Sequence, residues 1–526
     1  MDIKKVQSMT NGETTTYEGG KSYVRPFKET VAEFFSLGLL NGNFYESEKQ
    51  VLQNAKHIFE KALVECPEFA TKAAIYGNNE NSLKLVPMIW LAYISTLEDK
   101  TLFKKAFNKI IRNPKMLYDF MELIRKTEIR KGLGRSVKTA MNTWLEENLN
   151  EYQVSRNKNK LLDIIKVTRP NFNGKEDLQK YMAYISKDEL TFERAIALKE
   201  TIEELQKGNY NDKVKANINK YRLQLEELKH STATLSDEDK KNLYKDMYET
   251  LNYAALILNL VALERVFATK TRKVSKYSSA AGSFSQNEII ETDIPDEIIK
   301  MVVAKIENVE SYRRSNMLPF ALLNASTMVV TPEFKTAVYN MFKTSCKEAF
   351  KISKDNTVLV GVDTSGSMHS PVSNEHLEAV NVAALFGAMI KKAYTPANIY
   401  AVATYCKPVN VNAQDSIEDM SKKIRNVDVG YGTNFETILK NYNQEKYVII
   451  ITDSEQSDNF ERIWRKTNKP EGAKVIVWQL RPYGRVISKD ADFIYLQGYS
   501  DRMFALIKKI IENGTTQIDE IEKIEL

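Results

Sequence analysis

The chain contains very little cysteine and histidine. Its 526 residues include three cysteines and four histidines. The cysteines, Cys66, Cys346 and Cys406, are far apart in sequence and form no C-x-x-C pair, which argues against a cysteine-rich zinc site and against a disulfide framework. This usage is typical of a protein in a reducing compartment.

Long apolar runs are also missing. No stretch approaches the roughly 20 apolar residues that a membrane-spanning helix needs. The first residues, MDIKKVQSMTNGETTT, carry lysines without the apolar segment of a secretory signal. We therefore expect a soluble, cytoplasmic protein with no membrane partner. The 43% of hydrophobic residues is enough for large buried cores. Because 526 residues are too many for one compact core, at least two domains are expected.

A strongly one-sided charge is absent as well. The formal net charge is +6, which is modest for this length. The sequence is therefore not a polybasic tail. Any nucleic-acid surface has to come from local clusters of lysine and arginine.

What the sequence does contain, from about Val31 to Phe350, is one amphipathic helical segment after another. Examples are KQVLQNAKHIFEKALVE, LVPMIWLAYIST, TLFKKAFNKII and MLYDFMELIRK. Strand-like alternation is nearly absent in this half. The pattern predicts helix pairs stacked as an irregular solenoid of HEAT-like repeats.

Three local features stand out within the helical half. Ser236, followed by Asp239, predicts the N-cap of one long helix that runs to Val266. Charged segments on either side of Gly208 predict a helical hairpin. The stretch Thr269 to Asp293 is rich in Ser, Lys and Gly and shows no period, so we expect a long or mobile loop.

At about Lys354 the pattern changes to alternating strands and helices. The expected strands are TVLVGVD, NIYAVATY, KYVIIITD, AKVIVWQL and DFIYLQG, and the expected helices are HLEAVNVAALFGAMIKKA, TNFETILKNY and DRMFALIKKIIENG. Continuous Val and Ile runs mark strands that are covered on both faces. The sequence thus predicts a doubly wound, mainly parallel sheet, with ligands at the carboxyl ends of its strands.

Hydroxyl and carboxylate side chains gather on three loops of this α/β segment. One loop follows the strand TVLVGVD and carries Asp363, Ser365 and Ser367; the other two offer Thr433 in VGYGTN and Asp453 in TDSEQ. Mg²⁺ prefers six oxygen ligands, keeps several waters and is held by few carboxylates. The sequence therefore predicts a divalent-cation site, most suited to Mg²⁺, at one edge of the sheet.

These residues have two other interpretations. Asp363 and the serines could merely cap the following helix, but capping leaves the placement of Thr433 and Asp453 unexplained. A hydrolytic triad of Ser365 with His369 or His376 and Asp453 lacks the Gly-x-Ser-x-Gly elbow. We expect both histidines to lie on the surface and the chain not to be an enzyme.

A basic segment is the strongest local signal in the helical half. After Arg130-Lys131-Gly132-Leu133-Gly134, an apolar helical face is formed by Val137, Ala140, Met141, Trp144 and Leu145. Another face carries polar and basic side chains. The candidates for RNA contact, here and downstream, are Lys131, Arg135, Lys138, Asn142, Arg156, Lys158, Lys160, Lys166 and Arg169, with Arg313 and Arg314 as further candidates. Clustered cations attract phosphates, although a solvated basic face is the simpler interpretation of any single charge run.

Taken together, these motifs resemble the Ro autoantigen family, in which a TROVE module of helical repeats precedes a von Willebrand factor A domain. The TROVE resemblance rests on Gly132-Leu133-Gly134-Arg135 with the helix after it, and on three further segments: IIRNP at 110–114, SYRRSNMLPFALLNAST at 311–327, and residues 331–350. The A-domain resemblance rests on the order and spacing of the three oxygen-rich loops.

The resemblance implies two domains, residues 1–353 as a TROVE-like ring of helical repeats and residues 354–526 as an A domain that closes the ring. It implies a metal-ion-dependent adhesion site with Ser365, Ser367 and Thr433 as direct ligands, Asp363 and Asp453 acting partly through water, and one position left for a partner's carboxylate. It also implies a monomer that takes single-stranded 3′ ends of misfolded or immature RNA into a basic hole, with a Y-like RNA outside.

This sequence departs from the family in one segment. The family usually carries a Gly-Trp-Ser-His run and a later histidine after the Gly-x-Gly-Arg helix, whereas this chain reads RNKNKLLDIIKVTRP. The departure bears on Y RNA recognition more than on general RNA binding. Two functions remain open: an RNA-binding protein that scaffolds or hands RNA to an exoribonuclease, and an adhesion module that grips an acidic protein through Mg²⁺.

Overall fold

A computed structural model of the chain describes residues 13–38, 48–278, 283–315, 317–349, 353, 356–372, 378–481, 483–500 and 502–526. Up to residue 349 the chain is mostly helical. Its helices are α1 Phe27–Leu37, α2 Glu48–Glu65, α3 Pro67–Glu80, α4 Leu85–Ile94, α5 Thr101–Ile110, α6 Pro114–Lys126, α7 Gly134–Asn148, α8 Glu151–Arg156, α9 Lys158–Thr168, α10 Glu176–Lys187, α11 Glu193–Gln206, α12 Asp212–Tyr221, α13 Leu225–Leu228, α14 Asp237–Thr250, α15 Tyr253–Val266, α16 Asp296–Ile306, α17 Val309–Ser315, α18 Pro319–Met328 and α19 Pro332–Ala349.

The segment after residue 356 alternates strands with helices. Its helices are α20 Ala379–Ala393, α21 Ile417–Arg425, α22 Phe460–Lys466, α23 Met503–Asn513 and α24 Gln517–Glu522, together with short 3₁₀ helices at Gly366–His369 and Phe435–Lys440. The strands of the whole chain are β1 Glu13–Thr15, β2 Lys21–Val24, β3 Ala268–Ser278, β4 Ser283–Thr292, β5 Val358–Asp363, β6 Asn398–Val402, β7 Cys406–Pro408, β8 Tyr447–Thr452, β9 Lys474–Gln479, β10 Arg485–Val486 and β11 Phe493–Gln497. No helix among the described residues has both the length and the apolar character needed to cross a membrane.

The main sheet has the strand order β11-β9-β8-β5-β6-β7. All of its neighbours are parallel except β6 and the short edge strand β7. Every residue of β5 and β8 is buried, as expected for strands covered on both faces. The five strands predicted from Val and Ile runs are all present, so the mainly parallel α/β sheet is confirmed.

Large side chains cover both faces of this sheet. On one face Phe460 and Trp464 of α22 pack with Val448 of β8 in a fully buried cluster. On the other face Phe386 of α20 stacks on Trp478 of β9, with ring centroids 4.5 Å apart. The sheet is therefore a rigid platform, and it fixes the ends of the loops at its carboxyl edge.

By contacts the chain divides into two compact units that do not coincide with the expected boundary at residue 353. The first unit comprises Met1–Arg112, Asp119–Met141 and Cys346–Leu526; the second comprises Asn113–Tyr118 and Asn142–Ser345. The first unit thus joins the α/β sheet to the N-terminal helices. Hydrogen bonds from Gln517 in α24 to the Ser36 hydroxyl (3.1 Å) and the Gln497 carbonyl (3.0 Å) are part of this junction.

An N-terminal β-hairpin also belongs to the first unit. Strand β2 pairs with β1 and, on its other side, with β10, both antiparallel. The hairpin turn packs on the loop after β8, where the N–H of Gly20 donates to the Gln456 carbonyl at 3.0 Å. Residues near the start of the chain are in this way brought to the carboxyl edge of the main sheet.

The second unit is mostly helical and is held together by hydrogen bonds between its helices and loops. The predicted helical hairpin around Gly208 is confirmed: the Asn217 amide of α12 donates to the Ala197 carbonyl (3.3 Å) and the Thr201 hydroxyl (3.2 Å) of α11. The fully buried Glu264 carboxylate accepts hydrogen bonds from the N–H groups of Val330 and Thr331 before α19.

The expectation of a loop from Thr269 to Asp293 is wrong. Strands β3 and β4 form an antiparallel hairpin in this segment. Cross-strand pairs such as Lys270 with Glu291 (3.2 Å) and Arg272 with Glu288 (3.4 Å) are exposed. Because charged side chains occupy the pairing positions, the apolar alternation that normally reveals a strand is missing from the sequence.

Two helix expectations also need correction. Ser236 does cap a helix, since its hydroxyl accepts the Asp239 N–H at 3.1 Å, but the helix ends at Thr250 and α15 restarts beyond Asn252. Leu251 is extended and Asn252 is a new N-cap, which accepts the Ala255 N–H at 2.9 Å. The segment TNFETILKNY forms only a 3₁₀ helix, Phe435–Lys440.

The packing of the N-terminal hairpin predicts that alanine substitutions at its two glycines reduce the stability of the protein by different amounts. A Cβ on Gly20 would lie 2.3 Å from the Gln456 carbonyl oxygen, whereas one on Gly19 would meet nothing within 4 Å. We expect Gly20→Ala to lower the free energy of unfolding by about 3 kcal/mol through overpacking. Gly19→Ala should cost about 1 kcal/mol, the strain of its positive φ.

Chemical denaturation of the full chain measures both effects, and limited proteolysis after Lys21 reports whether the hairpin detaches locally. Equal stability and equal proteolysis of the two variants would contradict the docking described above.

Candidate metal site and nucleic-acid contacts

The three oxygen-rich loops meet because of the order of the strands. Strand β5 lies between β8 and β6 in the main sheet, and all three run parallel. Asp363 is the last residue of β5, Ser365 and Ser367 follow it, and the loop after β8 carries Asp453. The loop with Thr433 lies beside β6, since the N–H of Asn434 donates to the Ala403 carbonyl at 2.8 Å.

All five of the proposed ligands are buried. Asp363, Ser365, Thr433 and Asp453 have no exposed surface, and Ser367 is 1% exposed. Asp363 accepts hydrogen bonds from the Ser365 N–H (2.9 Å) and the Thr452 hydroxyl (2.6 Å). The hydroxyls of Ser365 and Ser367 are 3.4 Å apart. Asp363, Ser365 and Ser367 thus lie together at the carboxyl edge, and the Ser367 hydroxyl also hydrogen-bonds to Asp453.

The electrostatics of the group favour a cation. Burial, followed by the negative charge of Asp453, raises the pKa of the Asp363 carboxyl. Burial also raises the pKa of Asp453, against a hydrogen bond from the Ser367 hydroxyl and the charge of Arg481. Two neighbouring buried carboxylates repel each other, and a bound divalent cation removes that repulsion.

Two oxygens of the group have no partner among the described residues. The Thr433 hydroxyl and Asp453 Oδ2 are buried and make no hydrogen bond there. Leaving buried polar atoms unpaired is costly, so such atoms are expected to bind something. An all-oxygen set with few carboxylates and several hydroxyls suits Mg²⁺. The described residues hold no group of three or more His, Cys, Asp or Glu side chains placed to bind a metal, so the hydroxyls are essential to the set.

The capping alternative finds no support at Ser365. This serine is the N-cap residue of the 3₁₀ helix Gly366–His369, yet its side chain makes no capping hydrogen bond. The next helix, α20, begins beyond Glu378 and also lacks a side-chain cap. The Ser365 hydroxyl is therefore available to the oxygen group.

Thr404 and Gly366 position the loop that carries Thr433. The Thr404 hydroxyl accepts the N–H groups of Tyr431 (3.2 Å) and Gly432 (3.0 Å). The N–H of Gly366 donates to the Tyr431 carbonyl at 2.9 Å, and a Cβ on Gly366 would lie 2.2 Å from the Tyr431 ring. A larger residue at this position would require the exposed Tyr431 ring to move.

Sequence reasoning missed three residues of the site, Thr404, Thr452 and Glu18. Thr452 holds the Asp363 carboxylate, and its position next to Asp453 was the only local signal for it. Glu18 accepts the N–H of Thr433 at 3.0 Å across 415 positions of sequence. No local pattern could have identified that contact.

His369 makes no triad with Ser365 among the described residues. His369 is exposed, stacks on Tyr431 with ring centroids 6.4 Å apart, and pairs with Glu378 at 3.5 Å. Its expected surface position is confirmed. His376 lies outside the described residues.

In the first compact unit, the basic helix α7 has the two faces expected from its sequence. Val137 and Met141 are fully buried, whereas Lys131 and Arg135 are exposed and Lys138 is half-buried. The preceding turn is held by Arg130, whose guanidinium donates to the Gly132 carbonyl (2.6 Å) and to the Ser95 hydroxyl (2.7 Å). Arg130 is thus a structural residue of the turn.

In the second compact unit, the candidate RNA-binding side chains differ in how exposed they are. Arg156, Lys166, Arg169, Arg313 and Arg314 are exposed; Asn142, Lys158 and Lys160 are half-buried.

Four of these candidate side chains already contact other residues of the protein. Lys158 pairs with Asp188 and lies over the Tyr184 ring, and Arg156 donates to the Tyr152 hydroxyl. Arg313 pairs with Glu310 at 2.5 Å, and the Asn142 amide donates to the Thr168 carbonyl at 3.4 Å. Within the described part of the chain, Arg135, Lys138, Lys160 and Lys166 form no ion pair, which leaves their charges available to phosphates.

Comparisons with known proteins agree with this architecture. Residues 357–510 match the family model of the Ro60 vWA domain. The fold is similar to that of the Ro (Rsr) protein of Deinococcus radiodurans, with a TM-score of 0.62 and 16% sequence identity over 92% of this chain and 99% of that one. No curated protein sequence matches the chain. The expected Ro-like organisation, a helical half followed by a von Willebrand factor A domain, is confirmed.

The buried carboxylate pair predicts opposite effects of one substitution on stability and on metal binding. Asp363→Asn removes one of two repelling charges, so the metal-free variant should be more stable than wild type by about 1 kcal/mol, the worth of roughly one pKa unit. Mg²⁺ should stabilise only wild type, by about 2.7 kcal/mol at a hundredfold excess over Kd. Thermal unfolding with EDTA and with Mg²⁺ measures both effects.

Asp177→Asn serves as the control, because this aspartate is 82% exposed. It should behave like wild type in both conditions. A Mg²⁺-dependent shift that persists in Asp363→Asn would contradict the assignment.

Proposed function

We propose that this Ro-like chain is a non-catalytic RNA-binding protein whose A domain carries a Mg²⁺ site of the adhesion type. The RNA would be a misfolded or structured small RNA, held by its single-stranded 3′ end in a basic cavity of the helical half. The purpose would be RNA quality control, with the chain presenting RNA to an exoribonuclease. A monomer closed into a ring by its A domain would serve this purpose.

The observation that carries the RNA proposal is a set of cations without local partners. Arg135 and Lys138 are one helical turn apart on α7, opposite the buried Val137 and Met141. Lys160 and Lys166 lie on α9 and are likewise free of ion pairs within the described residues. A solvated face that served only solubility would gain from mixing both signs of charge, whereas phosphate binding needs uncompensated lysine and arginine.

A Y-like RNA is a weaker part of the proposal. The segment after α7 lacks the Gly-Trp-Ser-His run and the later histidine of the family. Two of its cations already have partners: Arg156 donates to the Tyr152 hydroxyl, and Lys158 contacts Tyr184 and Asp188. Phosphate contact along an unpaired 3′ tail needs only free charge, so it fits this chain better than a structured stem-loop does.

A second candidate function is a Mg²⁺-dependent grip on an acidic protein. It is favoured by two exposed aromatic residues on the loops around the metal site: Tyr405 is 60% exposed and Tyr431 is 68% exposed. Exposed aromatic side chains beside a polar anchor are characteristic of protein interfaces. Chelation should abolish such an interaction and leave RNA binding intact, which separates the two functions.

The decisive test of RNA binding compares a structured RNA with a single-stranded 3′ tail and the same RNA without the tail. We expect Arg135→Ala/Lys138→Ala/Lys160→Ala to weaken binding of the tailed RNA at least tenfold. The slope of log affinity against log salt should fall by about 2, because each phosphate contact on a single strand contributes about 0.7. Fluorescence anisotropy at several salt concentrations measures both quantities.

The control variant removes the same charge from paired lysines. Lys56, Lys199 and Lys220 are exposed and lie within 4.0 Å of glutamates, so Lys56→Ala/Lys199→Ala/Lys220→Ala should bind like wild type. Equal, weak binding by wild type and both variants would reject RNA binding at these residues.

A further inference from the structure

The first compact unit contains a cleft of about 260 Å³, lined by residues of α3 and of the last two helices of the chain. Its apolar lining comes from Tyr76 of α3, Leu506 of α23 and Ile524, which follows α24. Tyr76 and Leu506 are only 5% exposed, so close packing holds them in place. Ligand sites combine such an apolar lining with a few polar groups, and this volume suits a small molecule.

Two lysines that line the cleft share one carboxylate. Lys509 of α23 pairs with Glu520 of α24, and Lys523 pairs with the same carboxylate at 2.7 Å. Both lysines are exposed, whereas only 16% of the Glu520 side chain is exposed. Because a single negative charge neutralises only one of the two ammonium groups, this part of the lining keeps a net positive charge.

Two arginines share a second carboxylate in the same way. Arg502 and Glu80 both line the cleft and pair at 3.7 Å. Arg112, from the segment IIRNP, lies close to both: partial burial, followed by the positive charge of Arg502, lowers the pKa of its guanidinium, and Glu80 opposes this effect. Within the described part of the chain Arg112 forms no ion pair. Two guanidinium groups beside one carboxylate repel each other, and a bound anion would remove that repulsion.

The cleft also contains a hydrogen-bond acceptor that the protein leaves unused. Asn79 lines the cleft, and its side-chain oxygen is buried without a hydrogen bond from any described residue. The main-chain carbonyl of the same residue already accepts from the Arg502 guanidinium. A buried acceptor without a donor is costly, so a hydroxyl or amino group of a ligand would be favourable there. A ligand with both an anionic group and such a donor satisfies the whole lining.

We propose that this cleft binds a nucleoside monophosphate. A phosphate monoester carries close to two negative charges at neutral pH, which matches the two positive charges that Glu80 and Glu520 leave uncompensated. Arginine and lysine are the side chains that proteins use to hold phosphate. A ribose hydroxyl would donate to Asn79, and the base would lie against Tyr76 and Leu506. This site is separate from the metal site and from the RNA contacts proposed above, and it depends on neither.

Isothermal titration calorimetry of the full chain with adenosine 5′-monophosphate (AMP) tests this proposal. We expect saturable binding of AMP and weaker binding of inorganic phosphate and of adenosine, because each of these offers only part of the contacts. Arg112→Gln should weaken AMP binding about tenfold, the usual effect of losing a hydrogen bond to a charged group. This variant keeps the pair between Arg502 and Glu80 intact, so the packing of α3 on α23 should be preserved.

Arg125→Gln is the matched control, since Arg125 is an exposed arginine of the same compact unit that pairs with Glu122 at 3.2 Å; it should bind AMP like wild type. A second variant, Ala505→Phe, fills the cleft from an exposed position and leaves every charge in place. It should abolish AMP binding without lowering the unfolding temperature. No saturable AMP binding by wild type, or AMP binding that Arg112→Gln and Ala505→Phe leave unaltered, would overturn the proposal. Inorganic phosphate that binds as tightly as AMP would overturn it as well.

Discussion

Two buried carboxylates at the ends of adjacent strands are the constraint around which the C-terminal domain is arranged. Strands β5 and β8 run parallel, and parallel neighbours lie about 4.8 Å apart. Asp363 and Asp453 follow at the same edge, where burial and their mutual repulsion raise the pKa of Asp363. The fold tolerates this arrangement because hydroxyls and backbone N–H groups surround the pair. A bound divalent cation, as proposed above, would remove the remaining repulsion.

The N-terminal hairpin extends the site beyond the A domain. Its strand β2 adds to β10, and its turn brings Glu18 to Thr433. This contact is one of those that join the start of the chain to the carboxyl edge of the sheet within the first compact unit.

Much of the fold could be predicted from local patterns. Continuous Val and Ile runs predict the parallel strands, and the five candidate ligands follow strand ends or precede a helix in a recognisable order. The β3–β4 hairpin escaped prediction because its paired positions are charged, as in Lys270 with Glu291. The break at Asn252 escaped because a single capping amide outweighed a continuous helical pattern.

Long-range contacts could not be predicted from sequence patterns. Glu18 stands in a polar N-terminal stretch with no periodicity, and only the folded chain reveals its hydrogen bond to Thr433. Similarly, a count of lysines and arginines could not separate Lys158, which Asp188 engages, from Arg135, which no carboxylate among the described residues pairs with. Which charges are free is a property of packing, and it decides where phosphates can bind.

The central claim, that these loops bind one divalent cation, is tested most directly by X-ray diffraction from crystals grown with Mn²⁺. An anomalous difference map identifies the ion without reference to activity. The account predicts one peak within coordination distance of Ser365, Ser367 and Thr433. A map without a peak at these hydroxyls, in crystals where Mn²⁺ is present in excess, would contradict it.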